Sequence, residues 1–89
     1  MSFEEIRNLI SESKSFLEDY RMYGKMVQEA IDALDRVEEL VSNPDGKGLK
    51  EALSIVAKLS QQMEPYKDFV PTLAENIEKL HGWLKDRTG

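Results

Sequence analysis

The run Ser42-Asn43-Pro44-Asp45-Gly46-Lys47-Gly48 is the densest cluster of turn formers in the chain and lies almost at its midpoint. Asparagine and aspartate bond their own backbone, proline fixes φ, and glycine tolerates conformations closed to other residues, so the run reads as a sharp bend. Stretches of similar length flank it, and both carry a helical apolar repeat. The reading is all-α: an antiparallel helical hairpin of two long, kinked helices, two copies of which pair into a four-helix bundle. Its boundaries are arm one over 2–41, the bend over 42–48, and arm two over 49–87 with a kink or break at 64–71, all in one domain spanning 1–89. The alternative is a compact three- or four-helix up-down bundle made by one chain.

Arm one opens on Ser2 and Glu5, spaced as a capping box. Its apolar residues then keep a seven-residue phase. One column runs Ile6, Ser13, Tyr20, Val27, Leu34, Val41, and the other Leu9, Phe16, Tyr23, Ala30, Val37. Only Ser13 is polar. No proline interrupts, and Gly24 costs a helix only about 1 kcal/mol against alanine. One helix of roughly 58 Å is therefore expected, with a break near Tyr23-Gly24 as the rival reading. Asp32 and Arg36 are spaced as an i, i+4 ion pair.

Arm two repeats the phase, with Leu49, Val56, Met63, Val70, Ile77, Leu84 in one column and Ala52, Leu59, Tyr66, Leu73, Leu80 in the other. The count survives Pro65 and Pro71, which removes the chance that two unrelated helices agree by accident. Against continuity, Pro71 with Thr72 and Glu75 is a stop-and-restart pattern. The long first arm decides for continuity, since its stripe needs an equally long cover. With the bend around Gly46, Leu34 is expected near Leu59, Val37 near Val56, and Leu9 near Leu84. Ser13 then falls opposite Leu80, beside His81, and Gly24 opposite Tyr66 to Phe69.

The apolar stripe is wider than a two-helix coiled-coil seam requires. Ile10, Leu17 and Ile31 flank it on arm one, and Ile55, Phe69 and Trp83 on arm two. A lone hairpin would expose these six as a patch that soluble monomers rarely carry. They are the expected partner-binding residues. The expected partner is a second copy, giving a homodimer, or an amphipathic helix of another protein. Tyr20, Tyr23, Tyr66 and Phe69 are expected to form a core layer at the kink, with a hot-spot patch as the other reading.

The composition narrows the function. The 89 residues are 40% hydrophobic and 33% charged, with a net charge of −5 and no cysteine. The acidic balance and scattered Lys47, Lys50 and Lys58 argue against nucleic acid. No apolar run is long enough to span a membrane, and the acidic start is no secretory signal. Disulfides and thiolate metal sites are impossible, and the cytoplasm is the default compartment. His81 is the sole histidine and has no motif behind it. Gly46-Lys47-Gly48 lacks the spacing of a phosphate loop. The bend also lacks the alternating oxygen ligands of a calcium loop.

All-helical nucleotide pyrophosphohydrolases hold Mg²⁺ with Glu-x-x-Glu on one helix and Glu-x-x-Asp on a later one. The closest spacings here are Glu29 with Asp32, Asp35 with Glu38, and Glu75 with Glu78, but Ser54 stands where an acid should follow Glu51. The expectation is therefore a non-enzymatic interaction or assembly module with no cofactor, metal or catalytic residue. The alternative is a small metal-dependent hydrolase using carboxylates across a bundle.

Overall fold

The computed structural model describes residues 2–88; Met1 and Gly89, the outermost residues of the expected 1–89 domain, lie outside the described residues. Ser2 caps the first helix as its spacing predicts. The Glu5 amide donates to Ser2 Oγ and the Ser2 amide to Glu5 Oε1, both at 3.2 Å, and Glu4 and Glu5 face the positive end of the helix dipole. Helix α1 runs Phe3–Glu18. A 3-10 turn at Arg21–Tyr23 follows, and the chain reverses into α2, Lys25–Ser42. Residues 43–45 form the midpoint bend. Asp45 then caps α3, Gly46–Met63, by accepting the Gly48 amide at 2.6 Å. A second 3-10 turn, Glu64–Tyr66, leads to α4, Pro71–Thr88. Pro71 opens that helix, where its missing N–H matters least.

The four helices pack in a closed ring: α1 on α2, α2 on α3, α3 on α4, and α4 back on α1. The molecule measures 35 × 20 × 20 Å, which suits 18-residue helices of about 27 Å and leaves no room for an arm of twice that length. The compact four-helix bundle is thus the arrangement adopted, and the long-hairpin reading is corrected at both arms. Arm one folds back at Gly24, whose φ of 114° lies in the region only glycine enters freely. Arm two folds back through 64–70, where Pro65 and Pro71 stop one helix and start the next, as the Pro71-Thr72-Glu75 pattern suggested.

Folding back changes what each apolar residue meets. The core holds Ile6, Ile10 and Leu17 from α1, Ile31, Leu34, Val37 and Val41 from α2, Ala52, Val56 and Leu59 from α3, and Leu73, Ile77, Leu80, Trp83 and Leu84 from α4. On α1 the flanking pair Ile10 and Leu17 is fully covered, while Leu9 and Phe16, read as the seam, are only partly buried. The wide stripe is explained by each helix touching two neighbours. Ser13 satisfies its buried hydroxyl within α1, donating to the Leu9 carbonyl at 2.8 Å.

The antiparallel pairing of α1 with α4 and of α2 with α3 survives, but its register differs. The bend is centred on Pro44, two residues before Gly46, so cross-arm partners shift by about one turn. Glu12 accepts from Asn76 Nδ2 at 3.0 Å, not from the neighbourhood of His81. Arg36 Nε donates to Glu51 at 2.9 Å. Arg36 also pairs with Glu39, whereas Asp32, its expected partner, accepts from Gln28. Phe3 and Trp83 meet edge to face at 5.0 Å between ring centroids, and the Arg87 guanidinium sits over both rings. The fold-back itself is held by contacts absent from a hairpin. Lys14 on α1 bridges Asp35 and Glu38 on α2 at 2.9 and 3.2 Å, and Ser60 on α3 donates to Glu78 on α4.

Candidate interaction surface

In an up-down-up-down ring, the α1–α2 turn and the α3–α4 turn emerge at the same end. Each carries large apolar side chains that the core does not take in. Met22 is 86% exposed, Phe69 82% and Tyr23 74%. Met26, Tyr66 and Tyr20 are also exposed. The expected core layer of Tyr20, Tyr23, Tyr66 and Phe69 is therefore corrected: reversal of the chain at Gly24 and at 64–70 places these rings on the outside of the turns, past the last core layer. Tyr20 and Tyr23 stack on each other at 5.8 Å, with tilted rings.

Both turns have a local reason for their shape. The Tyr23 amide donates to the Tyr20 carbonyl at 2.9 Å and the Gly24 amide to Arg21 at 3.3 Å, so the chain tightens before glycine reverses it. Arg21 braces the reversal by pairing with Glu18 on α1 and donating to the side-chain carbonyl of Gln28 on α2. The guanidinium holds the Glu18 carboxyl below its ordinary pKa, and the carboxylate raises that of Arg21. In the other turn the amides of Phe69 and Val70 both bond the Tyr66 carbonyl, at 2.9 and 3.2 Å. Lys67 pairs with Glu64 at 2.7 Å, which raises the lysine pKa. The end face is thus an apolar centre beside charges of both signs. Exposed aromatics and methionines are the residue types that supply interface energy and adapt to a partner.

Of the six expected partner-binding residues, only Phe69 is fully on this surface. Ile10, Leu17, Ile31 and Trp83 are buried in the chain's own core, and Ile55 is half-buried on α3. They flank the seam because the bundle needs two contact faces per helix, and that need is met within one chain. Met22 and Met26 are the surface residues that sequence reasoning missed. Their signal was present, since both fall off the seven-residue columns that mark the buried stripe.

Shallow concavities mark the surface among the described residues. One lies beside the midpoint bend, among Arg36, Glu39, Leu40, Asn43 and Asp45. Another lies between α3 and α4, lined by Ser60, Met63, Lys67, Ala74 and Ile77, next to the apolar end. His81 is half-buried on α4. Among the described residues no three His, Cys, Asp or Glu side chains gather where they could hold a metal. Four of the acids weighed as ligands have other partners: Asp35 and Glu38 take Lys14, Asp32 takes Gln28, and Glu78 takes Ser60. No helix among the described residues is long and apolar enough to cross a membrane. No protein family, curated protein or solved structure matches the chain.

Proposed function

We propose that the chain is a non-enzymatic interaction module that docks a protein partner on its apolar end, through Met22, Tyr23, Met26, Tyr66 and Phe69. The observation that carries this reading is the exposure of large apolar side chains from two separate turns at one end, beside a core that is otherwise closed. Leaving such groups in water forgoes about 1.5–3 kcal/mol for each that a partner could cover. The net charge of −5 disfavours nucleic acid as that partner. A cytoplasmic setting belongs to the proposal and agrees with the lack of cysteine.

The test is an amide chemical-shift titration of the ¹⁵N-labelled chain. One arm adds unlabelled chain, and the other an amphipathic helical peptide of Leu-Glu-Lys heptads. Shifts confined to 20–26 and 64–70 in either arm, abolished by Phe69→Ser with unchanged helicity, support the reading. Silence of both segments in both arms at millimolar concentration overturns it.

A further inference from the structure

The charges around the apolar end do not cancel. In the segments 18–29 and 60–75, which hold both turns and the helix ends beside them, Arg21 is spent on Glu18 and Lys67 on Glu64. Among the described residues Asp19, Glu29, Asp68 and Glu75 are exposed and enter no ion pair, and Lys25 is the base left over to set against them. The rim of the end is therefore acidic, with the same sign as the whole chain at −5. A second copy would set this rim against itself, which like-charge repulsion opposes. An anionic bilayer meets the same repulsion.

The concavity between α3 and α4 opens beside this end, and its lining has the same sign. Met63, Ala74 and Ile77 make its apolar wall, and Glu64 and Glu78 line it too. Its volume is about 300 Å³, room for one long side chain. Lys67, also in the lining, is held by Glu64. Among the described residues Glu78 takes only the neutral hydroxyl of Ser60, so no cation balances its charge. An apolar wall beside an unbalanced carboxylate fits a lysine or arginine side chain. The aliphatic stem packs on Met63 and Ile77, and the cation reaches Glu78.

We propose that the partner at the apolar end is a basic amphipathic helix. Its apolar face rests on the exposed side chains of the two turns. Lysines or arginines along its edges meet the acidic rim, and one of them enters the concavity at Glu78. The end is 20 Å across, the length of roughly 13 helical residues, so a helix of just under four turns spans it. Met22 and Met26 give a surface that adapts to the partner's apolar anchors, which such a helix presents at i, i+3, i+4 and i+7. The acidic field of the chain steers a cationic partner toward it before contact. This inference rests on the docking reading above and names the partner's charge and shape.

Two helical peptides of the same length and apolar face test this, one with lysine and one with glutamate at every polar position. Each is titrated into the ¹⁵N-labelled chain at low salt, and dissociation constants are read from the amide shifts. The lysine peptide is expected to shift 19–29 and 60–78 and to bind about tenfold or more tightly than the glutamate peptide, a preference that shrinks as salt rises. Glu78→Gln should weaken the lysine peptide about 2–5-fold without weakening the glutamate peptide. Glu4→Gln, exposed at the opposite end, should change neither. Equal affinity for the two peptides, or a preference for glutamate, overturns the basic partner and leaves end docking standing. A Glu78→Gln effect no larger than that of Glu4→Gln also overturns it, since the attraction is then diffuse over an acidic chain. Tighter binding of unlabelled chain, or of vesicles of phosphatidylcholine and phosphatidylserine, than of the lysine peptide overturns it in favour of that partner. Silence of both turns with every one of these additions overturns the docking reading, and this inference with it.

Discussion

Replacing Lys14 by Met tests whether arm one folds back. The Lys14 ammonium sits between Asp35 and Glu38 of α2, and its side chain is only 23% exposed while the two acids are 55% and 36% exposed. Methionine keeps most of the apolar stem against the core, so the change removes charge more than packing. Exposed ion pairs contribute about 0.2–1 kcal/mol each, and the sheltered lysine places these toward the upper half, giving about 1–1.5 kcal/mol for the two together. A chain of this length has a total stability of roughly 4–13 kcal/mol. Lys14→Met should therefore lower the melting temperature by about 4–12 °C.

The assay is urea unfolding followed by far-ultraviolet dichroism, at micromolar chain and low salt, arranged as a double-mutant cycle with Asp35→Asn and Glu38→Gln. The coupling should shrink as salt rises, because the acids are partly in water. The pH dependence has a definite sign. Hydrogen bonding to Asp35 raises the Lys14 pKa, helped by Glu38 and opposed by desolvation. The contribution is then fully present below about 10.4, the ordinary lysine value, and is lost as pH rises through the elevated folded value. In an unbroken first arm Lys14 and Asp35 would stand about 31 Å apart. A coupling energy of zero within error at low salt would refute the folded-back first arm.

Two further outcomes are expected. Asp45→Ala removes the side-chain acceptor of the Gly48 amide and should cost about 1 kcal/mol, with the helix content of the intact fold unchanged by dichroism. Arg87→Met and Phe3→Leu should show a coupling of about 0.5–1 kcal/mol in a denaturation cycle, from the cation over the Phe3 ring at 5.2 Å; additive effects would mean that this contact contributes nothing.

Caps and stripes were legible because they are local. Ser2 with Glu5 and the restart at Pro71 both depend on residues within one turn of each other. The reversal at Gly24 was not legible from phase. The buried columns of α1 and α2 share one heptad count, so the pattern is the same whether the arm is straight or folded. Only the backbone angle of a single glycine separates the two, and its helix penalty of about 1 kcal/mol is too small to announce a break. The Pro71 signal was correct, and it was outweighed by an arm length that existed only if Gly24 stayed helical. For the same reason the flanking residues pointed to a partner. Ile10, Leu17, Ile31 and Trp83 do need covering, but α1 and α4 closing the ring supply it. Sequence alone identifies which side chains must leave water, and says much less about whose atoms replace it.

Trp83 lies across the contact between the first and last helices, with the Phe3 ring nearly perpendicular to its own and the Arg87 guanidinium 4.3 Å from its centre. It is the chain's one indole. Its emission is consequently a native gauge of whether the amino-terminal helix is seated: withdrawal of Phe3 leaves the ring wetter and shifts its light to the red. Departure and return of that helix can then be timed by stopped flow with no dye attached.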